Sequence, residues 1–160
     1  MLLTADIGNT NIKFGVFDGE TLMRTLTISC DKAKTSDEYG VVLTQLLSGS
    51  EINAAELDGS IVSSVVPDVM HSLIGALRRY TGTVPLIVGP GVKSGIRLIT
   101  EDPRSIGADR IVDAVAAYEK YGGPVLVIDF GTATTFDIVN ENSCFIGGII
   151  APGVEIQARA

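Results

Sequence analysis

The chain has 160 residues, 46% of them hydrophobic and 19% charged, with a mean hydropathy of +0.35; this balance excludes an intrinsically disordered segment and suits a domain with a sizeable buried core. Lys and Arg number 12 against 19 Asp and Glu, for a formal charge of −7, which excludes a broad cationic surface for nucleic acid or anionic lipid and leaves any bound phosphate to local amides, a metal or a few cations. Cys30 and Cys144 are too few for a disulfide scaffold, and with neither a leader pattern nor an uncharged run of bilayer length, the expectation is a soluble cytoplasmic protein with no nucleic-acid or membrane partner.

Met1 to Phe17 reads as an apolar strand, a bend at Ala5-Asp6-Ile7-Gly8-Asn9-Thr10, and a return strand through Ile12, Phe14 and Val16. That is a hairpin with a carboxylate at its bend. Asp18-Gly19 supplies the next turn and Thr21 to Ser29 a third strand, so an antiparallel meander is expected. Thr35-Ser36-Asp37-Glu38 is a capping box, and Tyr39, Val42, Leu43, Leu46 and Leu47 follow at helical spacing, predicting a helix from about Ser36 to Leu47. Ser60 to Val66 predicts a strand; from Asp68 onward Val69, Met70, Leu73, Ile74 and Leu77 form one helical stripe. Val84 to Val88 predicts a strand, Gly89 to Gly95 a surface loop with an irregular extension to Pro103, and Ala108 to Tyr121 a helix ended by Gly122-Gly123-Pro124.

That glycine-proline break divides the sequence into a domain over residues 1–122 and the start of another over residues 123–160. After it, Val125 to Asp129 is a strand ending in an acid, Gly131 to Thr135 a turn and Phe136 to Val139 a return strand. Asp6-Ile7-Gly8-Asn9-Thr10 is thus repeated by Asp129-Phe130-Gly131-Thr132-Ala133, and repetition of a whole supersecondary unit points to two related domains. The second receives only one more strand, near Phe145 to Ile150, before Ala160.

One acid-x-glycine bend after a strand is an ordinary turn. Two of them permit a nucleotide held between twin domains to present its phosphates to both hairpins, where backbone amides form an anion-binding concavity and the carboxylates hold a hydrated cation. Gly8 and Gly131 then allow close approach; Asn9, Thr10, Thr132 and Thr134 are short donors, and Lys13 could reach the same charge. The loop Gly89 to Gly95 places Val92 where a P-loop needs glycine, and no dinucleotide-binding glycine pattern follows the first strand. His71, the only histidine, is expected on a solvated helix face, and Tyr118 and Tyr121 in packing.

Taken in order, Asp6-Ile7-Gly8-Asn9-Thr10 with Lys13, Gly107-Ala108-Asp109-Arg110, Asp129-Phe130-Gly131-Thr132-Ala133-Thr134-Thr135 with Asp137, and Gly147-Gly148-Ile149-Ile150-Ala151-Pro152-Gly153 resemble the motif set of type III pantothenate kinases. The resemblance implies an α/β, actin-like ATPase (ribonuclease H-like) fold of two related domains with mixed sheets flanked by helices, the second incomplete in this chain. It further implies ATP-dependent phosphorylation of pantothenate to 4'-phosphopantothenate, the first step of coenzyme A synthesis, by a homodimer using Mg²⁺ and potassium or ammonium. By position, Asp6, Ile7, Gly8, Asn9, Thr10, Asn11, Ile12 and Lys13 become the first phosphate loop, with Asp6 holding Mg²⁺ through water. Asp129 becomes the monovalent-cation ligand, Thr132 an ATP contact, and Thr100, Gly107, Ala108, Asp109 and Arg110 the pantothenate site.

Asp109 is the expected catalytic base. Its place in the predicted first turn of a helix, where the dipole favours a carboxylate, fits that role independently of the resemblance. Arg110 could hold pantothenate's carboxylate by two parallel hydrogen bonds; the alternative is a surface pair with Asp113, three residues on. Two positions depart from the family pattern: Thr100 stands where a tyrosine is usual, and Asp102 where an asparagine is. Gly147 to Gly153 is either a loose turn or, as the resemblance has it, a segment beside the subunit interface. The adenine pocket and part of the acceptor site are expected from a later portion of the second domain, so this 160-residue form is expected to be inactive. Two rival readings are a kinase of another small hydroxyl substrate and a nucleotide-binding regulator without turnover.

Overall fold

In a computed structural model, which describes residues 1–89 and 91–159, contacts divide the chain into two units, Met1–Val88 and Gly89–Ala160. In the first, alternation places Leu3, Ala5 and Ile7 of β1 (Leu2–Ile7) and Ile12, Phe14 and Val16 of β2 (Asn11–Asp18) on one buried face. β2 pairs antiparallel with β1 and with β3 (Thr21–Ser29), as the meander reading expects. β4 (Gly59–Ser64) lies parallel to β1, and β5 (Leu86–Ile87) closes the order β3-β2-β1-β4-β5. β5 is shorter than the strand expected over Val84 to Val88. Pro85 has no N–H to give a ladder, and Val84 is exposed.

Two helices cover the buried face. α1 (Ser36–Gly49) contributes Tyr39, Leu43 and Leu47, and α2 (Pro67–Ala76) Val69, Leu73 and Ala76, to the same core. At the start of α1 the capping box is complete: Thr35 Oγ1 accepts from the Glu38 amide, and a Glu38 oxygen accepts from the Thr35 amide at 2.8 Å. The Thr35 backbone bond, seconded by its hydroxyl, holds the Glu38 carboxyl below its ordinary range, and Tyr80 then Arg79 do the same for Asp37. Carboxyls depressed by folding contribute stability that is complete above the unfolded range and disappears as pH falls through the folded value. Thr35→Ala is therefore expected to cost about 1 kcal/mol at neutral pH. In urea titrations the gap from wild type should narrow in acid as Glu38 protonates; a pH-independent gap would show that the box contributes nothing through that charge.

The second unit begins with β6 (Arg97–Leu98), a strand with no signal in its sequence, which pairs parallel with β9 (Cys144–Pro152). α3 (Ala108–Tyr121) has the bounds its sequence predicts. β7 (Val125–Phe130) and β8 (Ala133–Val139) form the second hairpin, β9 continues the meander, and the sheet runs β6-β9-β8-β7. β8 starts earlier than expected, leaving only Gly131 and Thr132 as the turn. α4 (Val154–Arg159) follows β9 where the sequence reading placed no element.

The contact division after Val88 differs from the sequence boundary at residues 122 and 123. α3 belongs to the second unit because its apolar stripe packs on that sheet: Ile111 and Ala114 share a core with Ile106, Val139 and Phe145. The other face of the sheet leaves Leu126, Ile128, Phe130, Ile138 and Ile149 exposed.

Candidate functional site

The two hairpins repeat each other in detail. Asp6 is the next-to-last residue of β1 and Asp129 of β7, and each strand is followed directly by a glycine. Each turn is closed by that glycine's amide, Gly8 to the Asn11 carbonyl and Gly131 to the Ala133 carbonyl, both at 2.9 Å. In each copy the residue after the third strand also bonds the last residue of the turn: Cys30 N to Thr10 O at 2.9 Å, Gly153 N to Thr132 O at 3.1 Å. The repeat inferred from two short stretches thus extends over three strands. The copies differ opposite the acid, where Asp6 pairs with Lys13 but Asp129 with Thr135.

In the first unit Asn9, Thr10, Asn11 and Lys13 are exposed around the turn, with Gly8 and Asp6 half-buried. Ile7 and Ile12 are cross-strand partners with side chains fully in the core, so only their backbone can meet a ligand. In the second unit Asp129 and Thr132 are exposed at the hairpin tip, whereas Thr134 is buried. No group of three or more His, Cys, Asp or Glu that could hold a metal occurs among the described residues. Mg²⁺ in phosphotransferases is usually held by one or two carboxylates, waters and substrate phosphates. The single carboxylate of Asp6 beside the exposed residues Asn9 and Thr10 fits that donor set, and an exposed Asp129 at a strand end is an oxygen donor of the kind a monovalent ion takes.

A cleft of about 810 Å³ lies wholly within the second unit, its lining including Thr100, Asp102, Ile106, Arg110, Phe145 and Gly148. Of the expected acceptor residues, Thr100 and Arg110 line it, and Gly107, Ala108 and Asp109 do not. Asp109 sits in the first turn of α3, as predicted, and its Oδ1 accepts the Arg110 amide at 2.8 Å. That bond satisfies one of the amides a helix start leaves without an intrahelical partner. Gly107 takes the N-cap position with no side chain to cap it.

Arg110 has a carboxylate partner that was not considered from sequence. Its Nε donates to Asp137 Oδ1 at 2.9 Å and to Oδ2 at 3.2 Å, and its Nη2 also donates to Oδ1. Asp137 is 1% exposed and the Arg110 side chain 13%, so the pair joins the start of α3 to the middle of β8 with the carboxylate buried and the guanidinium bordering the cleft. The guanidinium also lies 5.6 Å from the centre of the Phe145 ring. Asp137 thus takes the Nε side of the guanidinium, a contact within the chain that the sequence reading did not foresee.

Gly148 explains how the pair fits. It stands opposite Asp137 in the β8–β9 register, and a side chain there would run into Asp137 Oδ1, the Phe136 carbonyl and Arg110 Nη2. Gly153 is equally committed, since a Cβ would strike the carbonyls of Gly131 and Thr132 at the hairpin turn. Gly147 to Pro152 lies within β9 rather than in a loose turn. Sequence reasoning quoted Asp137 and Gly148 within motifs but missed their contact with Arg110. The signal available was phase: Asp137 falls on the inward register of β8 with Thr135 and Val139, where an acid needs a buried partner.

Of the departures from the family pattern, Asp102 is conservative in structure. Its Oδ1 accepts the Arg104 amide at 3.1 Å and caps a short 3-10 turn over Pro103–Ser105, which an asparagine oxygen would do as well. Thr100 is different. Its hydroxyl is buried in the cleft wall without a hydrogen-bond partner, and such groups usually find one, from protein, water or ligand.

A family model described as type III pantothenate kinase matches residues 2–160. A curated type III pantothenate kinase from Agathobacter rectalis is 54% identical over 160 residues; the match takes in all of this chain and 62% of the relative. Among solved structures, the ethanolamine utilization protein EutJ from Carboxydothermus hydrogenoformans aligns with TM-score 0.54 at 15% identity, over 94% of this chain and 51% of its own. The Ppx/GppA family member from Aquifex aeolicus aligns with TM-score 0.52 at 14% identity, over 99% of this chain and 53% of its own. These structures establish the actin-like ATPase fold, α/β with mixed sheets flanked by helices, and the expected fold class holds.

Proposed function

The chain belongs to the type III pantothenate kinase family, and from that premise we propose that it carries the phosphate loop, base and acceptor cleft of an ATP-dependent pantothenate kinase. The observation that carries the reading is the 54% identity with a curated pantothenate kinase across every residue of this chain. The chain spans 62% of that relative's length, so catalysis is assigned to the complete protein.

In this reading the turn amides and side chains from Asp6 to Lys13 hold ATP phosphates, with Thr132 a further contact. Asp6 holds Mg²⁺ through water, and Asp129 ligates potassium or ammonium. Bound there, the cations offset phosphate charge that a chain of formal charge −7 supplies few basic groups to meet. Pantothenate occupies the cleft, its carboxylate at Arg110 and a polar atom at the unpartnered Thr100 hydroxyl. Asp109 accepts the proton of the attacking hydroxyl as the phosphoryl group transfers, a role that needs alignment more than covalent chemistry. No helix among the described residues is long and apolar enough to cross a membrane; the family resemblance is what supports a cytoplasmic homodimer.

The test is ADP release by the complete protein with pantothenate as acceptor, with and without potassium. Pantothenate-dependent release, slowed by potassium removal, is expected. Absence of turnover with pantothenate alongside turnover of another small alcohol would replace this reading with that of a sister kinase. Nucleotide binding without turnover of any acceptor would replace it with a regulator.

A further inference from the structure

We propose that Asp137 is the positioning residue for Arg110, fixing which face of the guanidinium a substrate can use; this rests on the kinase reading of the cleft. Arginine carries five N–H donors on one rigid plane. Asp137 engages Nε and one hydrogen of Nη2, which leaves the second Nη2 hydrogen and both of Nη1. Arg110 lines the cleft, so the edge still available to an acceptor is the end-on pair formed by Nη1 and Nη2. A carboxylate can meet that edge with two parallel bonds, one to each nitrogen.

Three features prevent the guanidinium from turning to another edge. Its carboxylate partner is itself 1% exposed and cannot follow it into solvent. The Phe145 ring lies 5.6 Å away and supports one orientation of the plane. Gly148 packs so closely against both members of the pair that a Cβ there would strike Asp137 Oδ1 and Arg110 Nη2. Asp137 touches no substrate in this arrangement and acts through Arg110 alone. The pair is neutral overall, so the cleft selects an acceptor carboxylate by the direction of its hydrogen bonds more than by net charge.

Asp137→Asn keeps the shape of the side chain but turns one oxygen into an N–H₂ that cannot accept from Arg110. In the complete protein this variant is expected to raise KM for pantothenate about ten- to a hundredfold, the worth of a charged hydrogen bond. kcat and KM for ATP should stay near wild type. The discriminating substrate is the analogue with the carboxylate reduced to a primary alcohol, whose KM should hardly change in the variant; a merely structural defect would affect both substrates alike. In parallel, the Arg110 Nε–H should give a slowly exchanging side-chain ¹⁵N resonance, assigned by its disappearance in Arg110→Lys and lost again in Asp137→Asn. Equal losses for the two substrates, an unchanged KM for pantothenate, or no protected Nε–H in wild type would each overturn the inference. A wild-type protein that turns over no pantothenate would instead sink the kinase reading and the acceptor role with it.

Discussion

Asp109→Asn is expected to lower pantothenate-dependent turnover by about 10²–10⁴-fold, the usual contribution of a positioned general base, while nucleotide binding persists. The substitution isolates proton transfer. In the native chain Asp109 Oδ1 accepts the Arg110 amide at 2.8 Å, and the amide oxygen of asparagine can accept the same bond, so the start of α3 keeps its partner and Arg110 its place. What is lost is an oxygen able to take the hydroxyl proton. The measurement is single-turnover phosphoryl transfer with saturating ATP and pantothenate. Asp109 does not line the cleft itself, and a variant with normal turnover would reduce its role to capping a helix and move the base elsewhere.

How much of this was legible in the sequence depended on whether the signal was local. The first meander, the capped helix after Thr35 and the bounds of α3 follow from period, caps and glycine breaks within a dozen residues, and they match. β6 does not: two residues without alternation become a strand only because β9 offers them a parallel partner far along the chain. The boundary shows the same limit. Gly122-Gly123-Pro124 is a true break in sequence, but which sheet α3 covers is decided by the fit of Ile111 and Ala114 against Val139 and Phe145.

The site divides in the same way. The place of Asp109 in the first turn of α3 was legible because a helix start acts on the residue beside it. Asp137 and Gly148 were not, because their meaning lies in a contact that crosses from α3 to β8 to β9. The arginine itself was found, but its contact with Asp137 was not, because that carboxylate lies on a strand far along the sequence. Of the glycine-rich stretch, sequence supplied the property, close backbone approach, and the structure the neighbour: the hairpin turn for Gly153.

The second large effect expected is on stability. Arg110→Ala should destabilise the protein by about 3–5 kcal/mol, because it leaves a carboxylate buried with no counter-charge. Asp137 is 1% exposed, too little for solvent to replace the hydrogen bonds it accepts from the guanidinium. Asp137→Ala should cost less, since the Arg110 side chain is 13% exposed and borders the cleft, where water can reach its donors. The double variant removes both charges and leaves neither stranded. It is expected to be more stable than the sum of the single losses predicts, by roughly 0.5–3 kcal/mol of coupling. Urea unfolding of the four proteins, followed by circular dichroism, measures that difference, and the sign matters more than the size. Simple additivity would mean that the pair does not share a buried environment in solution, and the fixed orientation of Arg110 would then lose its physical basis.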